Sequence, residues 1–103
     1  MRTLGIDLET YSSVDIKTSG AYRYMEAPDF TILLFAYAFD DEEVQIIDFV
    51  QGEELPDHVM EALKDPNIIK TAFNANFERT ALRRYYDMEM PPEQWTCTMI
   101  KAL

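Results

Sequence analysis

Apolar and polar residues alternate from the start of the chain. Leu4, Ile6 and Leu8 fall on one face of an extended segment, and Gly5, Asp7 and Glu9 on the other, so residues 2–8 are predicted to form a strand. The polar, Ser-rich stretch over 10–20 reads as a loop, and AYRYMEA (21–27) as a short helix that Pro28-Asp29 interrupts. FTILLFAYAF (30–39) is an unbroken run of apolar, β-branched and aromatic residues, which predicts a strand buried on both faces. After an acidic turn over 40–43, VQIIDFV (44–50) predicts a third strand, and the three form an antiparallel meander.

The period then changes. PDHVMEALKD opens with Pro56 in a first helical turn, and Val59, Met60, Ala62 and Leu63 repeat at helical spacing. A turn at 65–67 leads to NIIKTAF (67–73), a fourth strand. Asn74 or Asn76 caps a helix over 77–86 with Phe77, Ala81, Leu82 and Tyr85 inward. A strand, a crossover helix and a further strand imply a parallel, right-handed connection, so the fourth strand lies parallel to the first. Met90-Pro91-Pro92 breaks the pattern, and Trp95 starts another element, with a helix expected from Thr98. The whole, 1–103, is expected to be one α/β domain: a mixed sheet with flanking helices, whose apolar last residues read as the front portion of something longer.

Charge and cysteine usage narrow the function classes. The net charge of −10, from 19 acidic and 9 basic residues, argues against tight DNA binding by this chain alone, because phosphate contacts need basic surface. The same acids suit a site for Mg²⁺ or Mn²⁺. One cysteine and one histidine exclude an intramolecular disulfide and a Cys/His zinc cluster. Asp7 interrupts any signal-like apolar run, and no segment reaches the roughly 20 apolar residues of a membrane span. A cytosolic protein with no membrane partner is expected.

Asp7 and Glu9, two apart on a strand, send both carboxylates from one face. Neighbouring anions raise each other's pKa unless a cation sits between them, and a divalent ion meets that need with hard oxygen ligands. Phosphodiester hydrolysis uses two such ions about 3.5–4 Å apart. A solvated edge pair would show the same spacing; the position at the carboxyl end of a strand, where open α/β sheets place ligands, favours the metal site. The second constellation is NANFER, with Glu78 in the first turn of a helix beside the fourth strand. The helix dipole alone also favours an acid there, and Asn74 also suits a turn.

The segments IDLETYSSVDIKTSGAYRY, TAFNANFERTALRRY and WTCTMIKAL together resemble the 3′–5′ exonuclease domain of phage-type family A DNA polymerases, a four-acid nuclease with a ribonuclease H-like fold. Asp7, Glu9 and Thr10 match its first motif, Asn74 and Glu78 its second, and Thr98-Met99 the start of its next helix. The resemblance implies two divalent ions held by Asp7, Glu9 and Glu78, with Thr10 and Asn74 contacting a single-stranded DNA 3′ end; Phe77 is a further candidate contact by its nearness to the second motif. Asp7 holds the ion that activates water, Glu9 the second ion and the terminal sugar, and Glu78 orients water. It also implies an attached polymerase domain and a bacterial host cytoplasm. Glu78 stands where the family usually has Asp, and the third motif falls beyond Leu103, so this chain is expected to be inactive alone. A short-RNA exonuclease of the same superfamily, or a non-catalytic module of a replication protein, fits the same motifs.

Three other groups are expected to be secondary. His58 reads as a surface residue. Arg79, Arg83 and Arg84 form the only dense basic patch, facing either phosphates or solvent. Tyr22, Tyr24, Phe35, Tyr37 and Phe39 read as core, with Phe73 or Phe77 available to stack on a terminal base.

Overall fold

A computed structural model describes residues 2–40 and 42–97. Its five-stranded mixed sheet has the order β3-β2-β1-β4-β5, with β1 (Thr3–Tyr11) at the centre. β2 (Thr31–Phe39) and β3 (Gln45–Asp48) complete the antiparallel meander. β4 (Ile69–Ala72) returns parallel to β1, and β5 (Trp95–Cys97) lies parallel to β4. This is the α/β, ribonuclease H-like arrangement expected, with the fourth strand beside the first.

Three helices pack on one side. α1 (Ile16–Glu26), α2 (Asp57–Lys64) and α3 (Ala75–Tyr86) contribute Met25, Val59, Leu63, Ala81 and Leu82 to a cluster with Leu4, Ile6 and Leu8 of β1. The alternation of β1 dictates this: its apolar face is buried, while Asp7 and Glu9 stand exposed on the other. The run over 30–39 is therefore not buried on both faces. Ile32, Phe35, Tyr37 and Phe39 enter the core; Leu34, Ala36 and Ala38 remain half-buried on the face that carries Asp7. The inward positions switch from even to odd numbers because the β1–β2 register slips. Glu9 pairs with Leu34 and Thr10 with Ile32, leaving Leu33 as an extra residue.

Several element bounds differ from the sequence expectation. Residues 10–20 are not a loop: β1 runs to Tyr11 and α1 begins at Ile16, its Asp15 cap accepting a hydrogen bond from the Lys17 amide at 2.9 Å. Gly20, at φ 84°, breaks that helix into two short pieces, a conformation only glycine adopts cheaply. β3 stops at Asp48, whose carboxylate accepts from the Val50 and Gln51 amides and turns 49–51 into a 3₁₀ turn closed by Gly52 at φ 87°. Pro56 sits at the N-cap of α2, one residue before its first turn. α3 starts at Ala75, two residues earlier than expected. Asn74 occupies the cap position without a side-chain capping bond, its carbonyl accepting from the Phe77 and Glu78 amides. Asn76 lies inside the helix. Trp95–Cys97 is a strand; the helix expected from Thr98 lies outside the described residues.

Two polar devices hold the sheet. Asp40, in the left-handed region at φ 52°, accepts from the Thr3 amide at 2.9 Å and from Arg2 Nε at 3.1 Å, joining the end of β2 to the start of β1. Both partners hold the Asp40 carboxyl below its usual range. Lys70, on β4, is fully buried, its ammonium donating to the Asp65 carbonyl at 2.8 Å and to Gln94 Oε1 at 3.2 Å. Burial lowers its pKa, and the Asp65 charge works the other way. This ammonium ties β4 to the turn before it and to the 3₁₀ turn (Pro92–Gln94) that leads into β5.

Gln94→Leu leaves the buried ammonium one acceptor short and is expected to cost about 1–3 kcal/mol in urea unfolding. Lys70→Met/Gln94→Leu, which removes the ammonium together with its side-chain partner, is expected to cost less than the sum of the two single changes.

Candidate functional site

The pairing of β1 with β4 ends at Gly5 opposite Thr71, so Asp7 stands at the level where the chain leaves β4 and turns into α3. That topology brings residues 7 and 78 together. Glu78, in the first turn of α3, is 6% exposed, while Asp7 is exposed on the strand. Burial pushes the Glu78 carboxyl up to about 7, the Asp7 anion adds to the shift, and the Asn74 backbone amide opposes it. A carboxyl raised this far by desolvation and a like charge is the electrostatic mark of a site awaiting a proton or a cation.

The remaining expected residues are distributed around this pair. Glu9 is exposed on the same strand face as Asp7, at the level of the β1–β2 slip, and does not figure among the charges acting on Glu78. Among the described residues, no group of three His, Cys, Asp or Glu side chains is arranged to hold a metal ion. The structure thus brings the charge of Asp7 to bear on the buried Glu78. The donor chemistry fits a hard divalent cation: two carboxylates, one of them held in a costly environment that a positive charge would relieve.

Thr10 is half-buried, and its hydroxyl shares a hydrogen bond of 2.9 Å with the Tyr24 hydroxyl. Tyr24 also contacts Phe30 and Phe77, with ring centroids 5.8 and 6.4 Å away. Phe77 is therefore half-buried against α1, whereas Phe73, just past β4, is 66% exposed. Asn74 is exposed at the helix cap.

Of the secondary groups, His58 is exposed and stacks on Phe39 at 5.8 Å, as a surface residue. The basic patch divides. Arg79 donates to the Met90 carbonyl and to Asn76 Oδ1, both at 3.1 Å, while Arg83 and Arg84 are exposed. Phe35, Tyr37 and Phe39 are core as expected, but Tyr22 is 69% exposed and is not. The alternation within AYRYMEA was the available signal: Tyr24 lies three residues before Ala27 and two after Tyr22, and only tertiary packing decides which ring turns inward. Tyr24 and Lys70 are the two residues near these elements whose roles the sequence pattern did not announce.

No protein family model matches the chain. It is similar to a DNA polymerase of Bacillus phage SP02, 56% identical over 102 residues, which cover 99% of this chain and 16% of that protein. The chain thus spans about 16% of the length of the relative it matches. Among the described residues, no helix is long and apolar enough to cross a membrane.

Between 4.5 and about 7 the folded chain holds a proton on Glu78 that the unfolded chain has lost, so this group lowers stability as pH rises through that window. The Glu78 carboxyl resonance is expected to titrate near 7 in cation-free buffer, and Asp7→Asn is expected to move the midpoint down while leaving it above 4.5. Glu78→Gln is expected to flatten the loss of stability across that pH range; an unchanged pH profile by thermal or urea unfolding counts against the raised Glu78 carboxyl.

Proposed function

We propose that the chain is part of the 3′–5′ exonuclease unit of a phage-type DNA polymerase, acting on a single-stranded DNA 3′ end. The observation that supports this most is the coupling of Asp7 with Glu78, which the two motif segments supply from opposite parts of the chain. The similarity to a phage DNA polymerase supports the polymerase setting.

In this reading Asp7 and Glu78 hold one Mg²⁺ or Mn²⁺, and Glu9, on the same strand face, serves a second. Bound there, such ions supply positive charge to stabilise the developing phosphoryl anion and to acidify water. The residues of the chain do the rest. With a cation held there, Glu78 would release its proton to solvent, since a positive charge would offset the burial and the Asp7 anion that raise its carboxyl. Thr10, held by the Tyr24 hydroxyl, presents a fixed hydroxyl beside Glu9 to the terminal sugar. Asn74 offers an exposed carboxamide, and Phe77, backed by Tyr24, a firm apolar edge for the terminal base. Rigid backing of this kind lowers the entropic cost of aligning the scissile bond.

The absence of a converged acidic trio among the described residues favours one rival, an acidic module without cation chemistry. Mn²⁺ titration separates the two. Paramagnetic broadening is expected at the amides around Asp7 and Glu78, and Asp7→Ala is expected to abolish it. Broadening spread evenly over the acidic surface favours the module. In the full reading frame, Asp7→Ala is expected to reduce digestion of 3′-labelled single-stranded DNA by about 10²-fold or more; undiminished digestion removes Asp7 from the chemistry.

A further inference from the structure

The chain carries its charge unevenly. α1 and α3 hold five of its nine basic residues, Lys17, Arg23, Arg79, Arg83 and Arg84, and only two of its nineteen acids, Glu26 and Glu78. A groove of about 640 Å³ runs between these helices, with Tyr22 and Met25 on one wall and Thr80, Arg83 and Arg84 on the other. A second cavity of about 240 Å³ shares Tyr22, Met25 and Thr80 with it and reaches Asn74 and Phe77. The two follow one seam, from the first turn of α3 beside Glu78 to its last turn.

The side chains along the seam are unequal in availability. Arg79 is engaged by Met90 and Asn76. Arg83 and Arg84 are exposed, and among the described residues neither forms an ion pair, although Glu26 and Asp87 stand in the same walls. Tyr22 presents most of its ring to solvent. Two unengaged guanidiniums beside an open aromatic face, in a groove that runs toward Asn74 and Phe77, have the chemistry of a single-strand track: phosphates for the arginines, a base face for the ring. Residues 77–84 of α3 span roughly 10 Å at 1.5 Å per residue, a length suited to a few nucleotides.

We infer that the α1–α3 groove holds the single-stranded DNA just upstream of the 3′ end, with Arg83 and Arg84 on phosphates and Tyr22 stacked on a base. The inference rests on the proposed nuclease reading for its choice of polymer. The two acids in the walls keep the affinity low, in keeping with a chain whose net charge disfavours tight binding by itself.

Titration of the chain with a short oligothymidylate, followed by amide chemical shifts across a range of salt concentrations, tests this. Shifts are expected along residues 21–26 and 80–86. Arg83→Glu/Arg84→Glu is expected to weaken binding roughly tenfold or more and to reduce the salt slope by about 0.7 for each phosphate no longer neutralised. Arg83→Lys/Arg84→Lys keeps the charges and is expected to retain most of the slope. Tyr22→Ala is expected to weaken binding roughly fivefold at an unchanged slope. Absent binding by the parent chain, or equal affinity and slope in a folded double-Glu variant, overturns the groove. Mn²⁺ broadening at Asp7 and Glu78 is read on the same variants. Its loss with oligothymidylate binding intact fails the nuclease reading alone, and its persistence without groove shifts fails the groove alone.

Discussion

The burial of Glu78 beside the Asp7 carboxylate is the constraint around which the candidate site is organised. One carboxylate stands exposed on the central strand; the other is buried in the first turn of the helix that follows the neighbouring parallel strand. Neither residue is unusual alone. Their proximity follows from β4 ending at Ala72, below the level of Asp7, so that α3 begins where β4 would otherwise have continued. The fold maintains this pair at an electrostatic cost, borne by a carboxyl pushed up to about 7. Such costs persist where surrounding structure over-determines the geometry, which is common at functional sites.

The surroundings do over-determine it. β1 is held on both sides, by β2 through an antiparallel register and by β4 through a parallel one. Its apolar residues are locked beneath the helices, and Asp40 clamps its first residue to the end of β2. The buried Lys70 fixes β4 to the turns on either side, so the strand that delivers α3 has little freedom to shift. The slip at Leu33 lies opposite Glu9 and Thr10, where extra strand twist re-aims the end of β1. Thr10 then meets Tyr24, which ties the first motif to α1 and, through Phe77, to α3. The helices α1 and α3 are thereby held together, and the groove between them reaches Asn74 and Phe77.

Net charge proved a poor guide to local surface. A total of −10 suggests a molecule that repels polyanions, yet two adjacent helices carry an excess of basic residues. Most of the acids lie in the turns and on α2 and its flanks, although Glu26 and Asp87 stand in the groove with Arg83 and Arg84. Screening lengths of about 8–10 Å at ordinary ionic strength mean that a strand lying in the α1–α3 groove responds chiefly to the charges lining it.

Sequence by itself determined the first four strands of the sheet and the face on which Asp7 and Glu9 stand. Alternation in residues 3–9 placed Leu4, Ile6 and Leu8 inward and both acids outward, and the strand–helix–strand order after Pro56 required a parallel fourth strand. These are local or topological rules, and they held. What a one-dimensional pattern lacks is distance between remote residues. Whether the run over 30–39 is covered on one face or two, which tyrosine of AYRYMEA turns inward, and which arginine of α3 is already engaged were decided by packing partners far along the chain. The burial of Glu78 and its charge contact with Asp7 belong to the same class. They depend on where β4 stops and α3 starts, a matter of a residue or two that hydrophobic periodicity does not resolve.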